Sequence, residues 1–184
     1  MSSEKHHALV LIGFMGSGKS HVARELSRRL GMPIYDLDAA IESYAGCSIP
    51  ELFATRGEDV FRRIESEVLA DALQHDSIVA TGGGVVTRPE NRAILQEAKC
   101  DALVVYLRAR ARTLARRIRM QPGSRPLIDG GGVLTMRQTI ARVEEILQQR
   151  AEHYEACANL VVDTDALSAT GVAAAIEAKF RCTF

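Results

Sequence analysis

The sequence has 184 residues, and its 23 Lys and Arg residues balance 23 Asp and Glu residues, so the formal net charge is zero. That balance excludes the basic surface of a general nucleic-acid-binding protein and any electrostatic attraction to an anionic membrane. With 47% apolar and 25% charged residues, the composition also excludes wholesale disorder. We expect one domain across residues 1–184, with a loose polar start at 1–7.

In chain order, short apolar runs alternate with amphipathic helical patterns. A buried strand is predicted at 8–12 and a helix at 19–30, with Gly31 and Pro33 ending it before a second strand at 34–37. Two segments have capping-box spacing, S-I-P-E at 48–51 and T-R-P-E at 87–90, and each predicts that a helix begins there. The remaining predicted elements are helix 58–73, strand 77–80, strand 102–107, helix 111–118, helix 136–154, strand 160–162 and helix 170–180.

The predicted strands lack the alternation of apolar and polar residues that marks a sheet with one solvated face. Continuous apolar strands separated by helices are typical of a parallel sheet covered on both faces. The sequence therefore predicts an α/β protein with three layers.

A phosphate-binding motif lies between the first strand and the first helix. Residues 13–20 (G-F-M-G-S-G-K-S) match the pattern G-x-x-x-x-G-K-[ST] in its required context. Its glycines allow backbone N–H groups to surround phosphate oxygens, and the helix N-terminus adds partial positive charge. We expect Lys19 to reach the β- and γ-phosphates of a nucleoside triphosphate and Ser20 to ligate Mg²⁺.

Three classes of protein that carry this motif have to be considered: GTPases, motor ATPases and kinases of small metabolites. The N-K-x-D motif of a GTPase is absent from the sequence, and the strand that would carry the acidic pair of a motor ATPase ends in glycines at 82–84. A kinase of small metabolites needs a lid that keeps water from the γ-phosphate. The Gly- and Pro-rich segment 121–132 suits such a lid, so the sequence favours a small-molecule kinase.

Acidic and glycine residues follow two of the predicted strands. Asp36 and Asp38 end the second strand, and side chains two apart on a strand point the same way, so both carboxylates are expected to face the site. Asp36 would hold Mg²⁺ through water, and Asp38 would bind and polarise an accepting hydroxyl. The glycines at 82–84 permit close approach of the backbone to a ligand.

Three arginines are candidates for anion binding. Arg62, held by Glu65 one turn away, and Arg150 near the end of the long helix are expected to bind a substrate carboxylate. Arg125 lies inside the predicted lid, where it would stabilise charge on the transferred phosphoryl group.

With these residues in place, the chain closely resembles shikimate kinase from about residue 8 to residue 180. The motifs that carry the resemblance are the loop at 13–20, D-L-D at 36–38, F-R-R-I-E at 61–65, T-G-G-G at 81–84, R-P-L at 125–127 and R-x-x-x-Y at 150–154. The resemblance implies a five-stranded parallel sheet of the nucleoside monophosphate kinase type. It also implies a substrate-binding region at about 36–63 and a lid at about 119–134.

The resemblance further implies that ATP phosphorylates the 3-hydroxyl of shikimate, a step toward chorismate and the aromatic amino acids. The implied ATP-binding residues are Gly16, Ser17, Gly18, Lys19, Ser20, His21 and Arg125, with Mg²⁺ at Ser20 and Asp36. Shikimate would be bound by Asp38, Arg62, Gly83 and Arg150. The implied catalytic groups are Lys19, Asp38 and Arg125.

Two departures from the family pattern concern adenine. Ile118 stands where the family commonly has an arginine that packs on adenine, and it is flanked by Arg117 and Arg119. No arginine follows V-D-T at 162–164, the segment that matches the family's adenine loop. Two other functions stay open at this point: a kinase of another small acid such as gluconate, and a nucleotide-binding regulatory module without catalysis.

The sequence also gives expectations about location and partners. The four cysteines lie far apart, which is typical of separate reduced thiols, and no apolar run approaches the roughly 20 residues of a membrane span. We expect a cytoplasmic monomer whose partners are ATP and shikimate, with no nucleic acid or membrane partner.

Overall fold

The computed structural model describes residues 7–120 and 134–184, which form a five-stranded parallel sheet with helices on both faces. The strands are β1 (Leu9–Ile12), β2 (Ile34–Asp36), β3 (Ile78–Ala80), β4 (Leu103–Arg108) and β5 (Leu160–Asp163). The α-helices are α1 (Lys19–Leu30), α2 (Leu37–Ala45), α3 (Ile49–Ala72), α4 (Pro89–Ala98), α5 (Ala111–Met120), α6 (Met136–Cys157) and α7 (Ala169–Thr183). A 3₁₀ turn, Val85–Thr87, lies between β3 and α4. The predicted fold class is confirmed.

The strand order places the phosphate-binding loop at the centre of the sheet. The order is β2-β3-β1-β4-β5, so β1 pairs with β3 on one side and with β4 on the other. The chain leaves β1 for β2 in one direction and later returns to β4 in the other, which makes the carboxyl end of β1 a topological switch point. Ligands of open α/β sheets bind at such a point.

Both faces of the sheet are buried, as the continuous apolar strands predict. Val10 and Ile12 of β1 pack in the cluster formed with α2, α3, α4 and α6. Leu9 and Leu11 pack in the opposite cluster, formed with α1 and α7. All four side chains have an accessible fraction of 0%, so β1 is a rigid support for the loop that follows it.

Three local predictions are corrected or refined. A helix, α2, begins at Leu37, where the sequence analysis placed the end of a strand. The predicted capping box at 87–90 is absent: the N-cap of α4 is Arg88, which makes no side-chain cap, and Thr87 Oγ1 donates to the Gly84 carbonyl instead. The predicted box at 48–51 is confirmed, and α3 runs on past it with a break only at Gly57, where φ is 79°.

Part of the predicted organisation lies outside the described residues. Arg125 and most of the predicted lid fall in 121–133, and most of the predicted loose start falls in 1–6. The four cysteines are free thiols. No helix of the described ranges is both long enough and apolar enough to cross a membrane.

Candidate active site

The phosphate-binding loop depends on glycine conformations that other residues rarely adopt. Gly13 and Gly18 have positive φ angles of 146° and 102°. A Cβ atom on Gly13 would also lie 2.7 Å from the Leu107 carbonyl oxygen. Gly18 is the N-cap of α1, which begins at Lys19 without a side-chain cap, so the first N–H groups of the helix stay available to an anion.

Lys19 lies across the loop that precedes it. Its Nζ donates to the carbonyl oxygens of Gly13 at 2.7 Å and Phe14 at 3.1 Å. Burial lowers the pKa of Lys19 to about 8, although the Asp38 carboxylate opposes this shift. An ammonium group that has lost part of its water is stabilised by phosphate oxygens, so this lysine is suited to a nucleotide tail.

Two serine hydroxyls belong to the same loop. Ser20 is exposed in the first turn of α1. Ser17 Oγ is buried and has no hydrogen-bond partner among the described residues, an unusual state for a buried hydroxyl and one that fits a loop built around a polar ligand. A cavity of about 330 Å³, here called the phosphate cavity, is lined by Met15, Gly16, Gly18, Lys19, Ser20, His21, Asp38, Thr81, Gly82 and Gly83.

Asp36 and Asp38 reach the site by a route different from the predicted one. Because β2 ends at Asp36 and α2 begins at Leu37, the two carboxylates do not share one face of a strand. Asp36 Oδ1 caps α2 by accepting the N–H groups of Asp38 at 3.1 Å and Ala39 at 3.2 Å. Both residues are exposed to solvent, but only Asp38, in the first helical turn, lines the phosphate cavity, and Asp36 lies outside that lining.

A second cavity, of about 230 Å³ and here called the acid cavity, shares Met15, Asp38, Gly82 and Gly83 with the phosphate cavity. Its other lining residues are Phe14, Ile49, Phe53, Phe61, Arg62, Glu65, Gly84, Ile146 and Arg150. Aromatic and aliphatic side chains therefore line part of it, and two arginines supply positive charge. A few placed charges in a mostly apolar cavity are typical of a site for a small ligand.

Arg62 is held on several sides at the wall of the acid cavity. Its Nη1 donates to Glu65 at 2.9 Å, while Nε and Nη2 both lie 3.2 Å from Glu58 Oε1. The Phe61 ring lies beneath the guanidinium, 4.9 Å from its centroid to Cζ. Since a guanidinium carries five N–H donors, these contacts leave donors for a ligand carboxylate.

Two carboxylates in this region, those of Asp38 and Glu65, have raised pKa values. Burial raises the pKa of Glu65, and the Arg62 guanidinium opposes that rise. Withdrawal from bulk water also raises the pKa of Asp38, as does Asp36, whereas Lys19 and Arg62 lower it. For both carboxylates the neighbouring cations oppose the rise in pKa.

Arg150 and Gly83 connect the long helix α6 to the phosphate-binding loop. Arg150 Nη1 and Tyr154 Oη both donate to the Gly83 carbonyl, at 3.1 Å and 2.5 Å. A Cβ atom on Gly83 would lie 3.0 Å from the Met15 backbone nitrogen, so the glycine turn and the loop are in close contact. This contact places Arg150 in the lining of the acid cavity.

A third cavity, of about 380 Å³ and here called the outer cavity, shares Gly16, Gly18 and His21 with the phosphate cavity. Its other lining residues are Ser17, Val22, Arg117, Met120, Thr164, Leu167, Ala169 and Val172. The three cavities thus form one series of neighbours along the carboxyl edge of the sheet, with the phosphate-binding loop in the middle.

Arg117, rather than Ile118, borders the outer cavity. Arg117 Nη2 donates to the Thr164 carbonyl at 2.6 Å, and Nη1 donates to Thr164 Oγ1 at 2.9 Å. Ile118 is 4% exposed and packs with α5 and α6 beside Gly16. The departure from the family pattern at Ile118 is thus a core position, and the arginine beside it borders the outer cavity.

The structure brings most of the predicted site residues together. The predicted loop residues from Gly16 to His21 line the phosphate cavity or the outer cavity, and Asp38, Arg62, Gly83 and Arg150 line the acid cavity. Asp36 lies just outside, and Arg125 is beyond the described ranges. The sequence analysis missed the apolar wall around Phe53, the role of Thr164 as a partner of Arg117, and Asn91, which is bonded to Glu65.

A phosphate-binding loop beside a second cavity that carries two arginines, on a sheet of this order, defines a P-loop kinase. The family model described as shikimate kinase matches residues 15–181, and the chain belongs to that family. A curated shikimate kinase from Burkholderia thailandensis is 38% identical over 170 residues, which are 92% of this chain and 87% of that protein. The solved shikimate kinase from Acinetobacter baumannii in complex with shikimate has a TM-score of 0.83 and 29% identity, covering 97% and 95% of the two chains.

A gluconokinase from Sinorhizobium meliloti matches with a TM-score of 0.59 and 17% identity, covering 98% of this chain and 94% of that one. A likeness at that identity shows a shared fold. It gives no information on which acceptor this chain phosphorylates.

Proposed function

We propose that this kinase transfers the γ-phosphoryl group of ATP to the 3-hydroxyl of shikimate, giving shikimate 3-phosphate and ADP for the synthesis of chorismate and aromatic amino acids. One observation carries the proposal. The acid cavity offers Arg62 and Arg150 to a carboxylate and shares Asp38 with the cavity over the phosphate-binding loop.

The acid cavity suits a ring that bears a carboxylate and hydroxyl groups. Arg62 and Arg150 would hold the carboxylate, since each has guanidinium donors beyond those used in the contacts above. The Phe53 and Phe61 rings, 4.7 Å apart, would cover an apolar face of the acceptor. The two charges and the apolar wall together would fix the orientation of the acceptor.

Asp38 is the group placed to orient the accepting hydroxyl, because it lines both cavities. The hydroxyl oxygen forms a bond to the γ-phosphorus while the bond from that phosphorus to the bridging oxygen of ADP breaks. The O–H bond of the acceptor breaks in the same transfer, and its proton leaves to water by way of the Asp38 carboxylate that faces it. Lys19 would stabilise the charge that develops on the phosphate oxygens, and we assign Arg125 the same task from the lid at about 119–134.

Mg²⁺ is the proposed cofactor, with Ser20 as its ligand and Asp36 acting through water. No group of three or more His, Cys, Asp or Glu within the described ranges could hold a metal ion. Sparse protein donors fit Mg²⁺, which keeps several waters and binds mainly through substrate phosphates. When bound, it would neutralise charge on the β- and γ-phosphates.

The outer cavity is the proposed site of the adenosine part of ATP. It is continuous with the phosphate cavity at His21, and Arg117 offers a flat cationic surface at its border. The hydrogen bonds from Arg117 to Thr164 would keep that surface in place.

We also propose the wider organisation expected from the sequence. The substrate-binding region at about 36–63 comprises the end of β2, α2 and the first part of α3, and the protein works as a cytoplasmic monomer. Four free thiols are compatible with a reducing compartment.

A coupled ADP assay on the purified protein tests the function. Shikimate is expected to be turned over faster than gluconate, and Asp38→Asn, which keeps the size of the side chain but removes its charge, is expected to lose most of that turnover. Faster turnover of gluconate would replace the proposed acceptor. Tight ATP binding with no turnover of either acid would favour a regulatory nucleotide-binding module.

A further inference from the structure

We propose that Asn91 is a positioning residue for the acid: its amide holds Glu65, and Glu65 in turn holds the Arg62 guanidinium at the wall of the acid cavity. This inference rests on the proposed function of Arg62 in binding the carboxylate of the acceptor. Asn91 does not line the acid cavity, so it acts only through its neighbours.

The orientation of the Asn91 amide is set by the Glu65 carboxylate, which can only accept. Asn91 is 0% exposed, and its Oδ1 accepts a hydrogen bond from Ser66 Oγ at 2.5 Å. The amide nitrogen therefore faces Glu65 and donates to its Oε2 at 3.3 Å. A reversed amide would point its oxygen at a carboxylate, which is repulsive, so the carboxylate selects this orientation, and the Ser66 hydroxyl, which also lies 3.0 Å from the Arg62 carbonyl oxygen, is compatible with it.

Glu65 needs this donor because it is a buried carboxylate. Its side chain is 1% exposed, and its Oε2 accepts from both Asn91 and Arg62 Nη1. The Asp38 carboxylate on α2 adds repulsion from the other side. Without the amide, Glu65 would have Arg62 as its remaining hydrogen-bond partner among the described residues and would compete more strongly for the guanidinium.

The link also joins two helices that approach the acid cavity from different directions. Asn91 lies near the start of α4, and Glu65 and Ser66 lie in the middle of α3. A residue needed only to pack α4 on α3 could be apolar, since the neighbouring positions of that interface are apolar. The buried amide is instead bonded at both ends, which indicates a role in placing charge.

The central experiment compares Asn91→Leu with the parent enzyme under saturating ATP and then under saturating shikimate. The expected result is a KM for shikimate raised about tenfold, with the KM for ATP and kcat each within about twofold, since the acid loses a well-placed partner while the nucleotide does not. In a Glu65→Gln background the same substitution should change the KM for shikimate by less than about twofold, because there is then no buried charge for the amide to hold.

Asn159→Leu is the control at a second hydrogen-bonded asparagine, which is more exposed than Asn91. The Asn159 amide donates to the Lys99 and Ala102 carbonyls and its Oδ1 accepts from Val104 N, all distant from the acid cavity. This variant should lower the Tm while leaving both KM values unchanged. If Asn91→Leu does not fold, Ser66→Ala removes the hydroxyl that contacts the amide oxygen, and the expected rise in the KM for shikimate is about threefold.

The outcomes separate this inference from the proposed function. Absence of shikimate turnover by the parent enzyme overturns the proposed function. Normal parent turnover, combined with equal effects of Asn91→Leu on both KM values or with a full effect in the Glu65→Gln background, overturns the role of Asn91 alone.

Discussion

The nucleotide side and the acid side of the cleft are built from different materials. The nucleotide side is mainly backbone: a loop whose glycines have positive φ, and a helix that begins without a side-chain cap. The acid side is mainly side chains, because Arg62, Glu65 and Arg150 supply its charge. Asp38 belongs to both.

The chemistry of the two ligands explains this difference. A triphosphate tail carries many equivalent oxygens, which a row of N–H groups can surround without discriminating among them. A small acid must be held in one orientation with one hydroxyl at the phosphorus, and this requires a few directional charged contacts. Substitutions on the acid side should therefore raise the KM for shikimate alone. Substitutions where the two sides meet should lower kcat.

Lys19→Met should have the largest effect, because Lys19 supplies positive charge in the phosphate cavity, next to the Asp38 carboxylate that both sides share. We expect kcat to fall about a thousandfold, as when a group that stabilises transition-state charge is removed. Steady-state kinetics with both substrates saturating measures this. A fall of less than tenfold would mean that the charge of Lys19 is not used in the transfer.

Arg62→Ala should affect the acid alone. Loss of a charged, bidentate partner is expected to raise the KM for shikimate about 50-fold, equivalent to about 2.3 kcal/mol, with the KM for ATP changed less than about twofold. Arg62→Lys keeps the charge but loses the planar fork, so its effect should be intermediate. Equal changes in both KM values would contradict the separation of the two sides.

Arg117→Ala should affect the nucleotide alone, and its effect should be smaller than that of Arg62→Ala on the acid. Arg117 donates to Thr164 at the edge of a site built from backbone, so we expect the KM for ATP to rise about fivefold. The KM for shikimate should stay constant. Titration of the protein with an ATP analogue provides a second measurement. If the KM for ATP rises more than Arg62→Ala raises the KM for shikimate, the nucleotide side depends on side chains more than the acid side does, contrary to the comparison above.

Glu58→Gln should have the smallest effect, although Glu58 and Glu65 contact the same guanidinium. The Glu58 side chain is 64% exposed, whereas that of Glu65 is 1% exposed. Exposed ion pairs contribute little, so we expect the KM for shikimate to change by less than about twofold. Glu65→Gln is the matched comparison, and its effect on the same constant should be several times larger.

Many elements of the fold could be predicted from local sequence. The strand at β1, the loop with its glycines and α1 follow from residues that lie next to one another, and the capping box at Ser48 holds for the same reason. The false box at 87–90 shows the limit of such patterns. Its threonine bonds to Gly84 in the preceding 3₁₀ turn, a competing contact that the four-residue pattern does not contain.

The acidic pair shows a different limit. Asp36 and Asp38 were correctly placed at the end of β2, but the geometry that relates them is a helix cap and not a strand face. Three residues of β2 are too few for periodicity to distinguish a strand that ends from one that continues.

The amino-acid sequence was sufficient to establish the phosphate-binding motif, the succession of strands and helices along the chain, and the charged groups of the site. Each of these is a property of residues that are neighbours in the chain. Which groups meet was decided by packing. Arg150 reaches the Gly83 carbonyl across 67 positions, Arg117 reaches Thr164 across 47, and Asn91 reaches Glu65 across 26. Hydrogen bonds between such distant residues form only after the helices have docked on the sheet, because apolar burial and not local preference brings those helices together.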